Sequence, residues 1–471
     1  MVIIKFYEAI SNFLKEYKVF CYPGEQIYKL YESLENKILV GDERGAGFMA
    51  EGYSRINNIG FCLVTNGPGI SNLATPLANA YKDNTSILAI SGRTERKYIN
   101  KNYFQEIEIK TNAKQYFFDT PDFNKFLDAY NYSLRNKKPS LLNIPADVFE
   151  EDCIFLDEMD IDYSQNIDNI INKINSIKAE KPLILIGQGI FGNLSYEEIL
   201  KIPKILNKLS LPISTTYPAR GVIDESKNIG LVGRRGDISS LLNSDKILNI
   251  GSSLSYNTYP PSIREKLLKK TININFTPNN LEEIKYLFEN ISLESSLEYE
   301  KKFFSPKGDY SQKINEIIKY GDIIVTDAGK HTVFTSLLKI CKEPKTLISS
   351  HSFGCMGFGL PVGIGVKFAL IDKNIDKEVL VISGDGGILM NIEELKVISD
   401  YNLDIKVVVM KNNKLANFTK IKNPNFIKIA EGFGLETVYI EDIEDIKELK
   451  YKKQIFAVVE VEDEELPKPN L

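Results

Sequence analysis

Ser383-Gly384-Asp385-Gly386-Gly387, set just after the apolar run Val379–Ile382, and Asn412-Asn413, set just after Ile405–Met410, decide how this chain reads. A strand ending in Gly-Asp-Gly places a carboxylate at its tip, beside backbone that an anion can touch. The second run ends in paired carboxamides. The segment between, 387–411, accommodates one helix and one strand, which returns the chain beside its starting strand. An Asp oxygen, an Asn oxygen and a main-chain carbonyl are what Mg²⁺ accepts when phosphate oxygens and water fill its other positions. Asp385 and Asn413 are the expected side-chain ligands, with the carbonyl of Leu415 as the third. Either motif alone reads as a polar turn. Together they point to a metal holding a diphosphate at the carboxyl ends of a parallel sheet.

The rest of the chain is consistent with an α/β enzyme. Its 471 residues exceed one ordinary core and suggest two to four domains. The formal charge of −5 argues against nucleic acid as a partner, because phosphate-backbone binding needs a basic surface. Five scattered cysteines show no CxxC and no metal-ligand spacing, so buried free thiols in a reducing cytoplasm are expected. The longest apolar stretches have strand length, which predicts no membrane span and a soluble, cytoplasmic protein.

Short apolar runs alternate with amphipathic stretches from the start: Lys18–Cys21, Ile38–Val40, Phe61–Val64, Ile87–Ile90 and Leu141–Ile144, with Ala46–Arg55 and Leu73–Tyr81 between them. This predicts a first doubly wound parallel sheet in residues 1–155. Glu150–Gln165 reads as a linker. A central Rossmann-like unit is expected over 166–295, with strands at Pro182–Ile186, Pro212–Thr215, Ile247–Ile250 and Thr271–Ile274. After the charged segment Ser292–Lys307, a third parallel-sheet unit over 308–471 carries the quoted motifs. The first and third units share a rhythm. Helix Gly45–Arg55, strand Phe61–Val64 and Gly67-Pro68-Gly69 echo helix Gly357–Ala369, strand Val379–Ile382 and Gly384-Asp385-Gly386.

On these motifs the chain strongly resembles the thiamin diphosphate-dependent enzymes, and among them the acetolactate synthase-like branch. The match runs through Tyr22-Pro23-Gly24, Asp42–Tyr53, Thr65–Gly69, Asp327-Ala328-Gly329-Lys330-His331 and Met356–Pro361 in the family's order. The resemblance implies that Glu43 is catalytic: in that family the glutamate here hydrogen-bonds the cofactor's pyrimidine and promotes the tautomer that takes the thiazolium proton. Read alone, a Glu opening a helix is a dipole-stabilising acid. Met356 resembles the apolar wedge beneath the cofactor, though a flexible core filler is the ordinary role of Met. Gly386 and Gly387 would offer N–H groups to the diphosphate, and His331 matches a position near it, with a lone surface His as the alternative. Gly67, Asn72 and Gly354 complete the implied cofactor contacts. Gln105 and Lys114 match positions near the substrate entrance, and His351 lies close enough to Met356 for a proton relay or a structural role.

The resemblance implies thiamin diphosphate and Mg²⁺ as cofactors and a 2-oxo acid such as pyruvate as substrate. It further implies carboligation of the acetolactate synthase type, with active sites at subunit interfaces of a homodimer or homotetramer. The chain departs from the pattern after Asn413, where Lys414–Lys422 is shorter than the relatives' closing segment and no Trp exists anywhere in the sequence. Ser252–Pro261 replaces the basic FAD-binding pattern, which counts against FAD. Gly187-Gln-Gly189-Ile-Phe-Gly192 lacks an acid after the next strand and reads as a structural turn.

Overall fold

The structure, a computed structural model, describes residues 2–155, 165–233, 235–256, 258–300, 304–416 and 418–468. Runs such as Leu183–Ile186, Val379–Ile382 and Val407–Met410 are aliphatic at every position, which suits strands covered on both faces. Three parallel sheets result. The first runs Lys37–Leu39, Val19–Cys21, Gly60–Val64, Ile87–Arg93, Ser140–Pro145, Lys114–Phe117 in spatial order. The third runs Leu347–Ser349, Ile323–Thr326, Val379–Gly384, Ile405–Lys411, Ile455–Glu460, Thr437–Ile440. Numbered by sequence within each sheet, both read 2-1-3-4-6-5. The central sheet, Asn228–Val232, Ile213–Thr216, Pro182–Ile186, Lys246–Ile250, Thr271–Ile274, reads 3-2-1-4-5, the Rossmann-like order.

Three strands of the parallel sheets escape the sequence reading: Lys114–Phe117, Asn228–Val232 and Thr437–Ile440. Each lies at the edge of its sheet. An edge strand is covered on fewer sides and carries Lys, Gln, Asn, Gly or Thr in place of a continuous apolar run. The linker assigned to Glu150–Gln165 also needs correction. Asp152–Phe155 pairs antiparallel with Val2–Lys5, with Cys153 turned inward between exposed neighbours. Residues 156–164 lie outside the described residues. Ser292–Lys307 contains no regular element among its described residues.

The first and third sheets meet through two helices. Glu43–Asn57 begins at Asp42, whose side chain accepts the Arg44 N–H at 2.8 Å, and stops at Asn58 with φ +67°. Gly359–Asp372 is apolar on nearly every face, Lys367 apart, and buried from Gly359 to Leu370, as a helix enclosed between layers must be. A Cβ added at Gly52 would come within 2.1 Å of the Val362 carbonyl oxygen, and one at Gly365 within 2.0 Å of the Met49 carbonyl oxygen. Only glycine lets the two backbones touch there. Phe20, Phe48, Tyr53, Phe358 and Phe368 belong to one core spanning both sheets, and the Tyr53 hydroxyl donates to Asp372 Oδ2 at 2.7 Å. The central unit keeps its own core around Ile184, Leu248, Phe276 and Leu287. All five cysteines are free and buried. Among the described residues no helix is long and apolar enough to cross a membrane.

Candidate active site

Strands Val379–Gly384 and Ile405–Lys411 are parallel neighbours, with Gly384 in register with Met410. Asp385 and Asn413 therefore leave adjacent tips. Asp385 Oδ2 accepts the Asn413 backbone N–H at 2.7 Å and the Asn423 side-chain Nδ2 at 2.7 Å. The same Nδ2 donates to Asn413 Oδ1 at 3.0 Å. Asp385 Oδ1 accepts the Gly386 N–H at 2.9 Å, so that donor is already engaged. The helix beginning at Asp385 is only four residues long, so its dipole adds little.

Leu415 sits in a small hairpin formed by Lys414–Leu415 and Thr419–Lys420. Its carbonyl accepts the Phe418 N–H at 3.3 Å, which leaves a second lone pair open. A Cβ added at Gly386 would lie 2.7 Å from Leu415 Cδ1 and 3.6 Å from Met356 Cε. Gly386 is thus the bare floor between those two side chains.

Asp327 organises this half, and the sequence reading gave it no role. Its buried Oδ2 accepts the Ser383 hydroxyl at 2.9 Å and the Gly357 N–H at 3.1 Å, while Oδ1 accepts the Ala328 N–H at 2.7 Å. It clamps the turn carrying Met356 to the strand carrying Asp385, and burial pushes its pKa up to about 6. Its sequence signal is the acid directly after strand Ile323–Thr326. A Cβ at Gly387 would come within 2.5 Å of Asp327 Oδ2. His331 is not a surface residue: it is 1% exposed, beside Gly384, and its Nε2 has no hydrogen-bond partner. Burial pushes its pKa down to about 4, so the ring is neutral near pH 7.

Gly354 and His351 line a cavity of about 370 Å³ between the third unit and the central one, with Tyr217, Gly251, Gly329 and Thr332. The Ser349 hydroxyl lies 2.9 Å from His351 Nε2, and burial pushes this ring's pKa down to about 3. Ser350 holds the loop in place. Its hydroxyl donates to Asn79 Oδ1 at 2.5 Å and accepts the Gly354 N–H at 2.8 Å. In the central unit, the glycines after Pro182–Ile186 pack on Gly251 and Ser252 and open a short 3₁₀ turn, Gln188–Phe191.

The first unit supplies a second group. Glu43 is the first residue of its helix and 7% exposed, and Asn72 Nδ2 donates to Glu43 Oε2 at 2.8 Å. Gly67, at φ +56°, starts the helix bearing Asn72, and a Cβ there would lie 2.7 Å from the Gln105 carbonyl oxygen. Asn66 Nδ2 donates to that carbonyl at 3.0 Å, and Gln26 Nε2 donates to Gln105 Oε1 at 3.2 Å. Glu43, Gly67, Asn72 and Gln105 therefore share one rim, to which Gln26 is a further contributor.

Lys114 does not join this rim. As first residue of an edge strand in register with Ser140, it stands at the amino end of the sheet, its Nζ 4.4 Å from the Tyr132 ring centre. Its expected place at a substrate entrance is corrected accordingly.

Among the described residues no hydrogen bond joins the Glu43 rim to the Asp385 tips within one chain. The two units are linked behind the rim instead. Buried Glu394 accepts the Gly41 N–H at 2.9 Å and the Asp42 N–H at 3.0 Å, and burial pushes its pKa up to about 8.

Three family domains match along the chain: the thiamine pyrophosphate enzyme N-terminal TPP binding domain over residues 4–113, the central domain over 167–288 and the C-terminal TPP binding domain over 327–461. The chain belongs to the thiamine pyrophosphate enzyme family. Its similarity extends to an uncharacterized protein of Methanocaldococcus jannaschii, 56% identical over 99% of both chains. The acetolactate synthase large subunit of Buchnera aphidicola subsp. Schizaphis graminum is 27% identical, over 95% of this chain and 92% of that one. Among solved structures, benzoylformate decarboxylase from Polynucleobacter necessarius superposes with a TM-score of 0.80 at 15% identity, covering 98% of this chain and all of that one. The unpartnered Nε2 of His331 and the bare Gly386 floor fit the phosphate end of thiamin diphosphate.

Proposed function

We propose that the chain is a thiamin diphosphate- and Mg²⁺-dependent enzyme that cleaves the carboxylate from a 2-oxo acid of the pyruvate class. The remaining acyl unit is then joined to a second carbonyl, as in acetolactate synthesis. The observation that carries this reading is the convergence of Asp385 Oδ2 and Asn413 Oδ1 on one donor at adjacent strand tips. The cofactor, when bound, supplies the electron sink for the carbon–carbon bond that releases carbon dioxide.

The chain's own residues would do the rest. Asp385, Asn413 and the Leu415 carbonyl would hold the metal, and neutral His331 would meet a phosphate oxygen. Met356, clamped through Asp327, would set the height of the cofactor over Gly386. Glu43, oriented by Asn72, would share a proton with the pyrimidine ring from a buried position. Gln105 would stand at the entrance of the rim. His351 and Gly354 would line a separate approach from the central unit.

A site shared between subunits is supported by the lack, among the described residues, of any hydrogen bond between the two rims within one chain. Exposed apolar side chains flank both halves, Phe104 and Ile107 on the first and Leu389, Met390 and Phe418 on the third. A homodimer or homotetramer would bring one chain's Glu43 to the other's Asp385. A second reading has its own support. The paired strands Lys414–Leu415 and Thr419–Lys420 are a small cover for a reactive acyl unit, with Phe418 at 83% exposure. Protonation to an aldehyde would then replace ligation.

An assay with pyruvate, thiamin diphosphate and Mg²⁺ that follows carbon dioxide, acetaldehyde and acetolactate separates the two. Acetolactate supports ligation and acetaldehyde alone supports the second reading. Bound cofactor with no turnover across a panel of 2-oxo acids would leave a cofactor-binding protein.

A further inference from the structure

Asn423 stands outside the ligand set of Asp385, Asn413 and Leu415, yet its side chain occupies the point where the Asp385 and Asn413 oxygens meet. One carboxamide nitrogen lies 2.7 Å from Asp385 Oδ2 and 3.0 Å from Asn413 Oδ1. Two acceptor oxygens aimed at one spot are a pocket for positive charge, and here the amide protons supply it. The other end of the same group is the telling part: Asn423 Oδ1 is buried and has no hydrogen-bond partner. A carboxamide carries its oxygen and nitrogen at equivalent positions, so half a turn exchanges them. After that turn, three oxygens converge where two now share a donor.

We propose that Asn423 is a fourth protein ligand of the site's cation, which deepens the cofactor reading above and rests on it. In the structure Nδ2 bridges Asp385 and Asn413. After half a turn of the carboxamide, Oδ1 would stand at that point and would take the place of one of the waters that Mg²⁺ usually keeps.

Local structure makes the placement firm. The Ile421 N–H donates to the Asn413 carbonyl at 3.0 Å, which brings the chain back past the metal tips just before Asn423. Asn425 then accepts the Lys428 N–H at 3.0 Å and caps helix Phe426–Gly432. Asn423 is the pivot between hairpin and helix, so a cation held through it also holds the hairpin. The short segment after Asn413 would thereby be ordered by the metal itself.

The test uses the full-length, metal-stripped protein with thiamin diphosphate present and Mn²⁺ as the probe, its binding read by electron paramagnetic resonance. Wild type, Asn423→Ala, Asn423→Asp and Asp385→Ala are compared, each first checked for a cooperative thermal transition. Asn423→Ala is expected to bind Mn²⁺ at least about tenfold more weakly. Asn423→Asp retains an oxygen and adds charge, so it should bind as tightly as wild type or more so. Hydrogen exchange over residues 414–422 should slow on adding Mn²⁺ in wild type and Asn423→Asp, and not in Asn423→Ala. Mn²⁺ affinity in Asn423→Ala within twofold of a wild type that does bind overturns the inference and leaves the cofactor reading standing. Asn423→Asp as weak as Asn423→Ala also overturns it, since the nitrogen and not the oxygen would then matter. A wild type that binds Mn²⁺ no better than Asp385→Ala removes the cofactor reading and this one together.

Discussion

The first and third sheets share one strand order, 2-1-3-4-6-5, and carry opposite chemistry on matching tips. After its third strand the first sheet turns through Gly67 into a 16-residue helix bearing Asn72. The third sheet turns through Gly384-Asp385 into a helix of only four residues. The helix ahead of that strand opens with Glu43 in the first unit, whereas Met356-Gly357-Phe358 leads into it in the third. One unit presents a buried carboxylate at a helix start, and the other gathers an Asp and an Asn oxygen on one donor at adjacent strand tips. The difference shows that the frame only aims these positions. Single residues at the strand ends decide what each frame does.

The sharpest way to break this division is Glu43→Gln. It should lower kcat by about 10²–10⁴-fold while cofactor affinity stays within a fewfold, because a neutral amide cannot share the proton. Turnover and calorimetric binding measured on one preparation check it, and full activity would assign proton handling elsewhere. Asp385→Ala should do the reverse. Loss of a direct ligand is expected to weaken Mg²⁺-dependent cofactor binding by roughly 100-fold or more, with saturating cofactor restoring part of the activity. Equal affinity in calorimetry would remove the metal from this tip.

The joint between the two frames can also be tested. Gly365→Ala puts a methyl group 2.0 Å from the Met49 carbonyl oxygen, and backbone cannot give way as a side chain does. A destabilisation of about 1–3 kcal/mol is expected, read as a lower midpoint in urea. Ala at Gly432, where an added Cβ meets nothing within 4 Å, is the control that should leave the midpoint nearly unchanged.

How much of this was legible in the sequence follows the same physics. Interior strands were, because burial on both faces demands unbroken aliphatic runs such as Val379–Ile382. The edge strands Lys114–Phe117, Asn228–Val232 and Thr437–Ile440 were not, because edges tolerate polar residues that imitate loops. Lys114 was set near an entrance by resemblance alone, and the strand it opens puts it at the amino end of the sheet. Asp385 and Asn413 could be picked out because they sit where strands end, whereas Glu43 stood out only through the family resemblance. Asp327, Asn423, Glu394 and Gln26 act across contacts that only the folded chain creates. Asn423 approaches Asp385 solely because the hairpin reverses between them, and no spacing rule encodes that approach.

The smallest effect concerns the link behind the Glu43 rim. Glu394 ties the third unit to the backbone of Gly41 and Asp42, just ahead of Glu43. Burial is the chief cause that raises its pKa from 4.5 to about 8, with Glu393 and Asp42 adding repulsion and the two N–H donors opposing it. A carboxyl whose folded pKa is raised binds its proton more tightly when folded. Its contribution to stability is therefore full below about pH 4.5 and is lost progressively up to about pH 8. Glu394→Gln cannot titrate, and its amide nitrogen cannot accept, so it gives up one of the two backbone N–H contacts at every pH. The variant should start below wild type near pH 5 and recover relative to it as pH rises, by on the order of 1–2 kcal/mol between pH 5 and 9. Glu51, raised to about 7, and Asp327, raised to about 6, titrate in both proteins, so the expected signal is the difference between two falling curves. Urea midpoints at half-unit steps from pH 5 to 9 provide it. Parallel curves would mean that Glu394 stays ionised throughout, held by its two backbone donors, and that the joint between the two frames does not respond to pH at this residue.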